Sequence, residues 1–109
     1  MEAEYKVEEQ VLTIYLPKEL DHHVADKIRR ESEVFLEERQ IRKVIFDFSD
    51  TVFMDSSGIG MVLGRVKRLR LLGGSVEACQ VGNSVYRILN MSGLERVISI
   101  KRRETTWEK

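Results

Sequence analysis

The sequence predicts an α/β fold, a mixed β-sheet of about four to five strands flanked by helices. Three observations carry that expectation. Strand-type and helix-type periodicities alternate along the chain. Paired or single glycines stop the second and third helical stretches. The 109 residues suffice for one hydrophobic core but not for two, so residues 1–109 form a single domain.

The elements follow in order. "EYKVEE" and "VLTIYL" read as two short strands, a hairpin without an Asn-Gly turn. In the second, Leu12, Ile14 and Leu16 alternate with Val11, Thr13 and Tyr15. Pro17 ends it, having no amide for a ladder. "LDHHVADKIRRESEVFLEERQ" then takes helical spacing, with Val24, Ala25, Ile28, Phe35 and Leu36 on one face. Asp21 is placed as its N-cap, where a carboxylate accepts from free amides and meets the positive helix end. "KVIFDF" is a strand and "SDTVFMD" a connection.

From Ser57 to Leu72 the helical period returns as a stripe of Ile59, Val62, Leu63, Val66 and Leu69. Arg65, Lys67, Arg68 and Arg70 fall in its second half, where cations suit the negative helix end. Gly73-Gly74 stops it. "SVEACQV" is the next strand and "NSVYRILNMS" a short helix capped by Asn83 or Ser84 and stopped by Gly93. "RVISI" is the last strand, followed by a polar tail containing Trp107.

Composition narrows the function. Lys plus Arg and Asp plus Glu both total 18, and the resulting zero net charge argues against direct binding to nucleic acid. No stretch approaches the ~20 apolar residues of a membrane helix, and the acidic N-terminus is no signal peptide. A single cysteine, Cys79, excludes an intramolecular disulfide and reads as a small buried thiol. These features together imply a cytoplasmic protein with no membrane association.

The chemistry concentrates in "VFMDSSGIG", residues 52–60. The G-x-S-x-G elbow of a serine hydrolase is absent, so no catalytic residue is assigned. "GIGMVLG" is one residue out of register with a dinucleotide fingerprint, which leaves a nucleotide-binding module open but assigns no cofactor. The adjacent His22 and His23 diverge from a helix start and lack companion ligands, so no metal is expected. The serines remain, as helix caps or as acceptors of a phosphate that would add about −1.5 to −2 charges near Asp55.

"FMDSSGIGMVLGRVKRL", "ELDHH" and "NMSGL", at matching distances, resemble the anti-sigma-factor antagonists of the STAS domain family, and most nearly its sporulation branch. The resemblance runs from about Val11 to Ile100. It implies a regulatory binding protein with no catalysis of its own. Unphosphorylated, such a protein holds an anti-sigma factor that is also an ATP-using serine kinase, and so frees the sigma factor for sporulation transcription. The kinase phosphorylates the serine after the motif aspartate, here Ser56, and a PP2C-type phosphatase resets it. The resemblance also assigns Asp21, Asp55, Ser56, Ser57, Gly58 and Arg65 to the partner surface. The family often has glycine before "ELD", where this chain has Lys18. Many relatives continue into a further C-terminal helix, for which "RRETTWEK" leaves about two turns. A STAS scaffold in a larger stress-signalling assembly is the alternative reading.

Overall fold

The structure, a computed structural model, describes residues 2–104. β1 (Glu4–Glu8) and β2 (Val11–Tyr15) form the hairpin, joined by Glu9 and Gln10. Glu9 takes the left-handed conformation (φ 59°) that a glycine would supply in a two-residue turn. β4 (Lys43–Asp47), β6 (Ser75–Val81) and β7 (Ser99–Arg102) complete a five-stranded sheet in the order β1-β2-β4-β6-β7. β2, β4, β6 and β7 run parallel and β1 antiparallel, which is the mixed sheet expected. Between the parallel strands run α1 (His22–Glu38), α2 (Ser56–Leu71) and α3 (Asn83–Ser92).

One face of the sheet carries the core. Leu12 and Ile14, Val44 and Phe46, and Val76 and Ala78 are buried there with Ile28 and Leu36 of α1 and Val62 and Leu69 of α2. Each of these side chains except Ala78 contributes roughly 1.5–3 kcal/mol of transfer free energy. The other face is only half-buried. Thr13, Ile45 and Glu77 lie in one cross-strand row on it, and Glu77 sits between Lys43 Nζ at 2.8 Å and Lys101 Nζ at 3.6 Å. Cys79 shares that face, so it is a half-buried thiol and not a core one.

The elements differ from expectation in three places. Two short strands, β3 (Glu19–Leu20) and β5 (Phe53–Met54), pair in parallel as a separate small sheet, where Phe53–Met54 is expected as a connection and Leu20 as the start of the helical stretch. Asp21 caps α1 as expected, its Oδ1 accepting from the Val24 amide at 3.1 Å. Neither Asn83 nor Ser84 caps α3; Gly82 does, without a side-chain bond, because Asn83 Oδ1 accepts from Arg102 instead at 2.7 Å. Residues 94–96 form a 3-10 turn, so the last strand starts at Ser99 and not at Arg96. Gly73 and Gly93 hold the left-handed positions past α2 and α3, at φ 78° and 83°. Residues 105–109, including Trp107, lie outside the described residues.

Candidate functional site at the start of helix α2

The small sheet builds the site. Glu19 pairs with Phe53 and Leu20 with Met54, and both Leu20 and Met54 point into the core. Each strand runs directly into an aspartate and then a helix, so α1 and α2 begin side by side after Asp21 and Asp55. Asp55 is the N-cap of α2, and its Oδ1 accepts from the amides of Ser57 at 2.9 Å and Gly58 at 3.4 Å. The expectation that a serine caps this helix is thereby corrected. Ser56 and Ser57 are its first two residues, and Asp55 already occupies the amides that a serine hydroxyl would have used.

The two serines face different surroundings. Ser56 is exposed, on the outward side of the first turn. Ser57 is half-buried and lines a shallow cleft of about 220 Å³ between α1 and α2, with His22, Ala25, Asp26, Arg29, Gly60 and Met61. Within that cleft the Arg29 guanidinium bonds Asp26 and holds its carboxyl below the usual carboxylate range, with Arg30 adding to the effect. His22 and His23 are exposed and meet edge to face, with ring centroids 5.4 Å apart. Among the described residues, no three His, Cys, Asp or Glu side chains come together as metal ligands would. No described helix is long and apolar enough to cross a membrane.

Gly58 is buried beneath the serines, and a Cβ there would lie 2.6 Å from Met54 Cγ and 3.1 Å from Leu20 Cδ2. Its contribution is close packing of α2 onto β3 and β5. Gly60 has open space where a Cβ would stand, so packing does not require a glycine there.

Arg65 stands apart from this group. It lies about 13 Å along the helix axis from Ser56, and it is 7% exposed. Its Nη1 donates to Glu33 Oε1 of α1 at 2.7 Å and to Ser32 Oγ at 3.4 Å. Arg68 Nε donates to the other Glu33 oxygen at 2.7 Å. Asp21, Asp55, Ser56, Ser57 and Gly58 therefore gather at one end of the molecule, and Arg65 belongs to the seam between α1 and α2. Two residues of the same surface escaped the sequence reading. Val52 and Phe53 are 55% and 48% exposed beside Ser56, and an apolar pair in a short connection gives no periodic signal.

The STAS domain family model matches residues 2–106, nearly the whole chain. This chain belongs to the STAS domain family. The anti-sigma F factor antagonist of Paenibacillus polymyxa is 39% identical over 90 residues, spanning 83% of this chain and 77% of that protein. The anti-sigma-B factor antagonist of Listeria monocytogenes is 28% identical over 83% of this chain and 78% of its own. Among solved structures, the unphosphorylated form of the anti-sigma factor antagonist SpoIIAA superposes with a TM-score of 0.82. It has 29% identity and covers 90% of this chain and 86% of that one. The phosphorylated form of the Bacillus cell-fate determinant SpoIIAA superposes at 0.74 with 28% identity, covering 90% and 89%.

Proposed function

We propose that this STAS domain is an anti-sigma-factor antagonist switched by phosphorylation of Ser56. Its unphosphorylated form holds an anti-sigma factor that is also a serine kinase, freeing a sigma factor in the cytoplasm. Sigma F is the target that the similarity to an anti-sigma F factor antagonist favours, with sporulation transcription as the process that the motif resemblance implies. The observation that carries the reading is the contrast between two adjacent hydroxyls. Ser56 is exposed on the first turn of a rigidly capped helix, and Ser57 is turned toward the cleft.

The chemistry fits that placement. Ser56 Oγ attacks the γ-phosphorus of ATP held by the kinase, the bond to the ADP oxygen breaks, and the hydroxyl proton passes to a base on the kinase. The phosphate adds about −1.5 to −2 charges. The Asp55 carboxylate already accepts from Ser57 and Gly58, so these amides are not free to receive it. In the free protein the new dianion stands in water at little cost. In a packed interface it must be desolvated beside Asp55, at about 1–3 kcal/mol or more if unpaired. That difference releases the partner, and hydrolysis by a PP2C-type phosphatase restores the hydroxyl. The protein performs no step of catalysis itself.

The test is phosphorylation by the anti-sigma kinase of the same genome with ATP, followed by peptide mass spectrometry and titration of both forms against that kinase. One phosphate on Ser56 and an affinity loss of about tenfold or more are expected. A phosphate on Ser57, or equal affinity of the two forms, overturns the reading.

A further inference from the structure

We propose that Phe53, with Val52, is the apolar anchor by which the anti-sigma factor grips this chain. The inference rests on the antagonist reading above for the identity of the partner, but not on which residue is phosphorylated.

The other exposed apolar side chains, apart from the neighbouring Leu71 and Leu72, are single, and Tyr15 ends β2. Val34 is on α1, Leu71 and Leu72 are at the far end of α2, Met91 is on α3 and Val97 follows the 3-10 turn. Val52 and Phe53 are different because their segment is pinned while their side chains are not. Thr51 is 2% exposed and donates its hydroxyl to the Pro17 carbonyl at 2.8 Å. The amides of Val52 and Phe53 both donate to the Lys18 carbonyl, at 2.9 and 3.3 Å. One residue on, Met54 is buried, so strand alternation forces Phe53 outward. An exposed ring on a fixed backbone loses little conformational freedom when a partner covers it. Aromatic residues held this way are typical centres of binding energy.

The rim states the partner's chemistry. Glu19 pairs with Phe53 across the small sheet, Asp50 precedes the pinned segment, and Asp21 and Asp55 follow the two strands. Lys18 is the single Lys or Arg within residues 18–21 and 50–56, and Arg103 reaches this rim only through the Phe48 and Ser49 carbonyls, at 3.2 and 2.8 Å, beside Asp50. Neither Glu19 nor Asp50 is ion-paired among the described residues. The complementary surface on the anti-sigma factor is an apolar pocket with a basic rim. Ser56 lies three residues from Phe53, so an anchor seated there carries the hydroxyl into the partner's reach. It also makes a phosphate at Ser56 a charge within a drying interface.

The experiment titrates the anti-sigma factor used above with variants in a Ser56→Ala background, so that phosphate transfer cannot enter the measurement. Phe53→Ala should raise Kd at least about tenfold, Phe53→Leu about threefold or less, and Leu71→Ala should leave it unchanged. Glu19→Lys should slow association about threefold or more. In the chain with Val52 and Phe53 intact, saturating the partner's methyl protons should transfer to the Phe53 ring and the Val52 methyls, a readout that needs no variant to fold. No transfer to these groups, or a Kd equal for Phe53→Ala and Leu71→Ala, overturns the proposal. That outcome would leave the phosphorylation of Ser56 standing. A phosphate found elsewhere would leave the anchor standing.

Discussion

Asp55 Oδ1 accepts the Ser57 amide at 2.9 Å, and that bond sets which serine of the pair faces outward. It fixes Asp55 as the half-in residue and starts α2 at Ser56. Replacing Asp55 by alanine frees two amides and removes a negative charge from the positive helix end. The expected loss is about 1 kcal/mol, within the ~0.5–2 found for such caps. Chemical denaturation measures it, and faster amide exchange at Ser57 and Gly58 should accompany it. Unchanged stability would mean that another group takes the cap.

Gly58→Ala tests how tightly α2 sits on the small sheet. The added Cβ would meet Met54 Cγ at 2.6 Å, a buried side chain that cannot swing into solvent. Overpacking of this kind costs about 1–3 kcal/mol, more than the ~1 kcal/mol alanine gains over glycine in a helix. Net destabilisation is expected. Gly60→Ala meets open space and should raise the melting temperature by a few degrees instead. A calorimetric scan of both variants separates the two outcomes.

These residues also mark where the sequence is readable. The three helices and the first four strands of the main sheet are legible because each repeats its pattern for two turns or several alternations, whereas β7 is read three residues early because Val97 and Ile98 extend its apolar run. β3 and β5 have two residues each, too few for a period, and their pairing joins residues 34 positions apart. "DSS" offers three good capping residues in succession; the inward turn of Met54 decides among them, and that is a tertiary fact. Arg65 looks like a surface cation of a helix's second half. Its partner Glu33 lies 32 residues earlier on another helix, so nothing local signals its burial.

Cys79 should be a slow thiol. Burial, with help from the nearby Asp47 carboxylate, pushes it up to about 11. The thiolate is the nucleophile, so alkylation at pH 8 should run more than tenfold slower than for an unfolded chain, whose thiols titrate near ~8.5. The folded form holds this proton where the unfolded form releases it. The resulting stabilisation is fully present below the unfolded pKa and is lost as pH rises toward 11. Alkylation rates read by mass spectrometry check the first claim, and denaturation at pH 8 and pH 10 checks the second.

Glu33 is the keystone of the seam between α1 and α2, since each of its oxygens holds a different arginine of α2. Desolvation raises its pKa, but the hydrogen bonds from Arg65 and then Arg68 outweigh that and leave it below the usual range. With a depressed folded pKa, its contribution is present above the unfolded value and lost as pH falls through the folded one, below about 4.5. Glu33→Ala leaves the Arg65 charge buried with its Nε already unpartnered. The expected cost is about 2–4 kcal/mol, somewhat under the range for fully buried pairs because Glu33 is partly solvated. The variant should also lose part of the wild-type slope of stability against acid. Arg65→Lys keeps the charge but is shorter and loses the planar guanidinium whose Nη1 reaches both Glu33 and Ser32, and should destabilise by about 1–3 kcal/mol. Once folded, it should bind the anti-sigma factor as the parent does, because Arg65 presents almost nothing to a partner. Titration of the folded Arg65→Lys protein therefore decides whether this arginine belongs to the partner surface or only to the frame that holds Ser56 in place.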